Sequence, residues 1–238
     1  MKNMRPKNNS LYALAIIAHP DDEAFLLAGT SLKFADENKT VGVVCVTRGE
    51  KGADRLHRNL RQDQIAKIRT KELQAACKIL GCECKQVLDY PDGALDQADF
   101  EQLVGQLTEI VNHYQPQVVL TFGEEGIAGH KDHITIGLAA VAACKKAGLK
   151  PAEIWLSSIP SSLIQDYETH MEKRKVHHSH FAPKRLMGVP DEKLSKIDIH
   201  KYKDLKLKAI EAHQSQYLQG GVWPEALKSE WFEIVKLT

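Results

Sequence analysis

This sequence predicts a doubly wound, mostly parallel α/β sheet with helices on both faces, and three observations carry that reading. Its apolar runs are continuous instead of alternating, as expected of strands buried on both faces. Segments with helical periodicity separate the runs, which is the alternation of a parallel sheet. Polar clusters gather where the runs end, on the edge where such sheets bind ligands.

The elements follow in order. "LYALAIIA" (11–18) is the first strand, and "DEAFLLAGTSLKFADEN" (22–38) is the helix after it. "VGVVCVT" (41–47) leads through a polar loop to the helical pattern "RQDQIAKIRTKELQAACKIL" (61–80), which Gly81 closes. "CKQVLDY" (84–90) meets the turn "PDGAL" and then "QADFEQLVGQLTEIVNHY" (97–114). "QVVLTF" (117–122) precedes "GEEGIAGHKDH" and the helix "ITIGLAAVAACKKAG", and "EIWLSSI" (153–159) is a fifth strand. From about 160 to 200 the rhythm breaks into an irregular insertion or cap with room for one short strand. A last helix, "KYKDLKLKAIEAHQSQYLQ" (201–219), ends at Gly220-Gly221. No internal repeat interrupts this order, so residues 1–238 read as one domain.

Composition narrows the partners. The 238 residues are 43% apolar and 26% charged with a net charge of +1, so no field selects nucleic acid or an anionic membrane. The five cysteines are odd in number and mostly fall in strand and helix patterns, as buried thiols of a reducing compartment do. Cys82-Glu83-Cys84 has no second pair to complete a metal site. The basic start "MKNMRPKNNS" precedes an apolar run too short for export or for a membrane span, and that run ends in His-Pro-Asp-Asp-Glu. The expected location is cytoplasmic.

Four polar loops converge on the carboxyl edge of the sheet: His19–Glu23, Thr47–Gly52, Asp89–Gly93 and Gly123–His133. Imidazole and carboxylate are good Zn²⁺ ligands, and His19 and Asp22 across a tight strand-to-helix turn can converge on one ion. Pro20 limits how far the pair can splay, which leaves Asp21 free to act as a base. The competing reading is a helix cap by Asp21 or Asp22. A cap needs one acid, and it leaves a histidine and a second acid unexplained. "GHKDH" adds His130 and His133, three apart at a helix start, with Asp132 between them to orient an imidazole. One of these histidines supplies the third protein ligand of a catalytic zinc, with a position left for water.

These residues, in this order, resemble the PIG-L/LmbE-like family of zinc-dependent N-acetylglucosaminyl de-N-acetylases. The family's A-H-P-D-D-E motif stands as Ala18-His19-Pro20-Asp21-Asp22-Glu23, and its G-H-x-D-H motif as Gly129-His130-Lys131-Asp132-His133. Thr47–Gly52 matches a T-x-G-E-x-G loop, Arg69-x-x-Glu72 an R-x-x-E helix, and His213-Gln214-Ser215-Gln216 an H-x-S-Q. The resemblance implies a Rossmann-like fold, zinc or another divalent metal on His19, Asp22 and His133, and Asp21 as general base. It implies that His130 supports the oxyanion or protonates the leaving amine, and that Arg69 and Asp92 face substrate. A homo-oligomer is implied as well. Ala128 stands where some sugar-specific members carry a tyrosine that assists the transition state.

An amide is a poor electrophile and water a poor nucleophile, so a metal that polarises the one and acidifies the other explains the acids at the end of the first strand. The expected substrate is a small acetamido sugar or its glycoside. A larger thiol-sugar conjugate is the alternative amide, and a non-catalytic metal- or sugar-binding module is the alternative class. Such a module needs no base beside its metal and lacks a G-x-G-x-x-G after the first strand. Glu72 is expected to pair with Arg69, one turn away. His213 reads as a core histidine or as a site residue reached from this chain or a neighbouring subunit. His177, His178 and His180 read as exposed loop histidines, and Arg48 and Lys51 as solvated charges or attractors of an anionic group.

Overall fold

The seven strands of the computed structural model form one sheet, and the structure describes residues 10–148, 153–173, 188–217 and 221–237. In chain order the elements are β1 (Ala13–Ile17), α1 (Asp22–Leu26), α2 (Ala28–Asp36), β2 (Val41–Thr47), α3 (Gln62–Ile79), β3 (Glu83–Tyr90) and α4 (Phe100–Tyr114). They continue with β4 (Val118–Phe122), α5 (Gly126–Gly129), α6 (Lys131–Ala147), β5 (Glu153–Ser157), α7 (Ile164–Lys173), β6 (Ser195–Asp198), α8 (Lys203–Ala212) and β7 (Ser229–Lys236). The sheet order is β3-β2-β1-β4-β5-β7-β6, with β1 to β5 parallel and β7 antiparallel to both its neighbours. Every residue of β1, β2 and β4 is buried, which is why these segments read as unbroken apolar runs. Helices α1, α2, α3 and α8 pack with one another, and α4 packs with α6. Strand order reverses between β1 and β4, and that switch point is where a doubly wound sheet opens a crevice at its carboxyl edge.

The structure corrects three expectations. The helix expected over 22–38 is two helices, broken at Leu27. The cause lies 200 residues away: the Glu230 carboxylate accepts from the Gly29 amide at 2.9 Å, and from the Thr30 amide at 2.8 Å and hydroxyl at 2.6 Å, creating a new helix start. Among the described residues of the 160–200 stretch, helix α7 is unexpected, while β6 is the one short strand the stretch has room for. The final helix stops at Ala212, and the chain then returns as β7, an antiparallel strand whose period gave no sign of it.

Glu230 also meets the fully buried Lys206 ammonium at 2.7 Å. Truncating one partner strands the other charge in the interior. Glu230→Ala should therefore cost about 3–5 kcal/mol, read as a fall in Tm of about 2–4 °C per kcal/mol. Replacing both partners, as Glu230→Gln with Lys206→Met, should recover part of that loss; a single variant as stable as the parent would contradict the account.

Candidate metal centre and active site

β1 delivers His19 and α1 delivers Asp22, while α6 begins at Lys131 and delivers His133 in its first turn. All three are buried, and one ligand atom from each falls within 4.8 Å of the others. Proton bookkeeping on the two rings tests what the cluster fits. His133 Nδ1 lies 3.0 Å from the Gly126 carbonyl, which only accepts, so Nδ1 carries the hydrogen and Nε2 presents a lone pair. That Nε2 is buried with no hydrogen-bond partner among the described residues, 3.2 Å from Asp22 Oδ1. His19 Nε2 lies 3.0 Å from Asp132 Oδ2 and 3.2 Å from Asp92 Oδ1, which leaves Nδ1 facing Asp22 Oδ2 at 3.6 Å. Two imidazole nitrogens thus face the two oxygens of one carboxylate, and a divalent cation satisfies all of them.

The electrostatics agree. Burial disfavours a charged His19, yet the hydrogen bonds to Asp132 and Asp92 and the charge of Asp22 raise its pKa to about 10. Burial also works against ionised Asp22, but His133 and His19 hold its carboxyl well below the usual range. The pocket is built to hold positive charge beside Asp22.

Asp21 stands apart. It is the residue before α1, yet its side chain makes no cap hydrogen bond, so the capping reading fails for it. Asp22 accepts instead from the His19 amide at 2.8 Å. Asp21 has φ of 127°, a strained value for a residue with a side chain. The strain is held from both ends. Glu23 Oε2 accepts from the Asp21 amide at 3.1 Å, and Arg69 Nη2 lies 3.0 Å from Asp21 Oδ2. Burial pushes the Asp21 carboxyl up, and the Arg69 guanidinium pulls it back.

Arg69 is buried, and its guanidinium also donates to the Gly49 carbonyl at 2.8 Å and the Pro20 carbonyl at 2.5 Å. Gly49 has φ of 64° and lies so close to the guanidinium that a Cβ there would collide with it. Glu72 does not pair with Arg69; it accepts from the Ser215 amide at 2.8 Å and hydroxyl at 2.6 Å. Asp92 lies beside His19 and accepts from the Lys51 amide at 2.8 Å, while its own amide donates to Glu50 at 2.8 Å, so the second and third loops lock together. Arg48 pairs with Asp89 at the surface.

His130 caps α6, its Nδ1 accepting from the Asp132 amide at 3.2 Å, so the neutral ring keeps its hydrogen on Nε2. Burial and the neighbouring His133 and His19 push its pKa down to about 3. Asp132 is buried as a bracket, accepting from the amides of Gly93 at 2.7 Å and Leu95 at 3.1 Å while holding His19. Asp132→Asn should therefore weaken metal affinity about 10–100-fold, measured by competition with a chromophoric chelator; unchanged affinity would remove Asp132 from the site.

Sequence reasoning left one pair unseen. His213, fully buried, meets Glu23 Oε1 at 2.6 Å across 190 residues, which ties α8 to the loop that carries Asp21. His213 is thus reached within this chain. His177, His178 and His180 lie outside the described residues.

Fold and cluster define a class: a doubly wound α/β protein with a His-Asp-His cluster suited to a metal at its switch point. The chain matches the family model "PIG-L: GlcNAc-PI de-N-acetylase" over residues 14–144 and belongs to that family, as a hydrolase of amide bonds. It is 30% identical over 227 residues to the 1D-myo-inositol 2-acetamido-2-deoxy-alpha-D-glucopyranoside deacetylase of Mycobacteroides abscessus, covering 85% of this chain and 80% of the relative. It is 29% identical over 208 residues to a probable N-acetyl-alpha-D-glucosaminyl L-malate deacetylase 2 of Bacillus cereus, covering 86% and 83%. Among solved structures it resembles in fold the N,N'-diacetylchitobiose deacetylase of Pyrococcus horikoshii, at a TM-score of 0.67 and 22% identity, over 98% of this chain and 87% of that one. No helix among the described residues is long and apolar enough to cross a membrane.

Proposed function

We propose that this chain is a zinc-dependent deacetylase of a small N-acetylglucosaminyl compound, releasing acetate and a free amino sugar. The observation that carries the reading is the buried pair of imidazole nitrogens facing Asp22, with a second carboxylate, Asp21, held beside them in a strained backbone. A module that only bound a metal or a sugar would gain nothing from that strain. The relatives' acetamido-sugar substrates support the substrate class.

His19, Asp22 and His133 would hold the divalent ion, which supplies Lewis acidity toward the amide carbonyl and the attacking water. Asp21, steadied by Arg69, takes the proton from that water. His130 stays neutral and offers its Nε2 hydrogen to the carbonyl oxygen as negative charge develops there. Asp21, which has just taken the water's proton and stands beside the cluster, returns it to the amine as the C–N bond breaks. Lys51, Arg69, Asp92 and Gly93 border the polar side of the site, where sugar hydroxyls find partners.

The test is acetate release from a panel of N-acetylglucosaminyl compounds with malate, inositol or a second sugar as aglycone. Each is assayed with and without chelator, and activity is restored with Zn²⁺ or other divalent metals. Chelator-insensitive turnover, or none on any member, would overturn the reading.

A further inference from the structure

A second chamber adjoins the metal site on the side away from Lys51 and Asp92. It has a volume of about 240 Å³ and shares Asp21, Asp22 and His133 with the polar chamber. Its other walls include Phe25, Leu26, Ile127, Tyr167, Met171 and Trp223. We propose that this chamber is an acyl subsite, and that the enzyme hydrolyses N-acyl amino sugars whose acyl chain is longer than acetyl. The proposal rests on the amide-hydrolase reading and names the substrate class more closely.

The geometry of an amide makes the argument. Its carbonyl carbon has to lie at the boundary that both chambers share, so the acyl group and the amine-bearing sugar leave in different directions. A sugar needs hydrogen-bond partners, and three of the polar groups around the apolar chamber already have theirs. The Lys206 ammonium is on Glu230 at 2.7 Å, the Trp223 indole donates to Asp166 at 2.7 Å, and the Ser158 hydroxyl donates to the Leu156 carbonyl at 3.3 Å. Sugar hydroxyls placed against these engaged groups and the apolar walls would lose water without replacement, which is costly. Methylene groups lose nothing by it.

The chamber is also preformed. Trp223 packs edge-on to Tyr167 with centroids 5.3 Å apart, and Trp231 lies behind Trp223 at 6.2 Å. Helix α1 places Phe25 and Leu26 three and four residues after Asp22, on the face that carries the metal-facing carboxylate. One helical turn therefore sets both the reacting centre and the chamber wall. The methyl of an acetyl group would fill only a small part of the volume. Hydrolysis balances as for acetyl: water adds to the acyl carbon, the C–N bond breaks, and a fatty carboxylate and free amine leave.

The experiment compares kcat/KM along two series with the Zn²⁺-loaded full chain. One is glucosamine N-acylated with acetyl, butanoyl and hexanoyl; the other is N-acetylglucosamine as its methyl, butyl and hexyl glycosides. The acyl series should rise by up to about fourfold per methylene before levelling, while the glycoside series stays flat. Leu26→Trp should lower the hexanoyl-to-acetyl ratio at least tenfold, and Met171→Trp, on the half-buried side of α7, serves if the first variant does not fold. Acetyl cleavage with a flat or falling acyl series overturns the subsite, and so does a rise in the glycoside series instead. Cleavage of no amide at all overturns the hydrolase reading, and the subsite falls with it.

Discussion

His133→Ala should leave a folded protein that binds divalent metal far more weakly and has lost at least about a thousandfold in kcat/KM, the several kcal/mol that a Lewis acid contributes. Three ligands become two, so the loss of affinity should exceed the about 10–100-fold expected for the outer residue Asp132. His133 also stacks on Phe122 with centroids 4.1 Å apart and bonds the Gly126 carbonyl, so some stability goes with the ring. Metal content and thermal unfolding separate the two effects. Apo parent and apo variant should then differ by much less than the holo forms, because ligand binding adds stability only where the site is intact. A variant that retained stoichiometric metal at nanomolar free concentration would remove His133 from the ligand set.

Much of this was legible along the chain, for physical reasons. Strands β1, β2 and β4 are buried on both faces, so their apolar runs mark them without ambiguity. The parallel order then sends the loops after them to one edge, which is why four separate polar clusters were readable as one site. What remained hidden depends on partners distant in sequence. β7 is paired antiparallel between β5 and β6, and only that pairing makes "SEWFEIVK" a strand. The break at Leu27 is caused by Glu230, and the role of Glu23 by His213. Arg69 and Glu72 sit one helical turn apart, so a local pair was the natural expectation. The fold gives each a nonlocal partner instead, Asp21 for the arginine and Ser215 for the glutamate. Local spacing predicted which residues gather at the site and missed what holds them there.

Asp21→Asn should separate chemistry from metal binding. Asp21 is outside the cluster of His19, Asp22 and His133, so the variant should keep its metal. An amide cannot take a proton from water, so kcat should fall about 10²–10⁴-fold. Asp22→Asn, by contrast, should weaken the metal itself. The pH dependence gives a second, independent readout. The base works only when ionised, so activity falls as pH drops through the pKa of Asp21, which burial pushes up and Arg69 pulls down. Removing the guanidinium removes the lowering influence whether or not a metal sits nearby. Arg69→Gln should therefore move the acidic limb to higher pH and lower kcat most at the acid end, as expected if the arginine acts through Asp21. If Arg69 instead served only to hold substrate, KM would rise at every pH and the limb would stay where it was. An Asp21→Asn enzyme with parental kcat would end the assignment of the base, whatever its metal content.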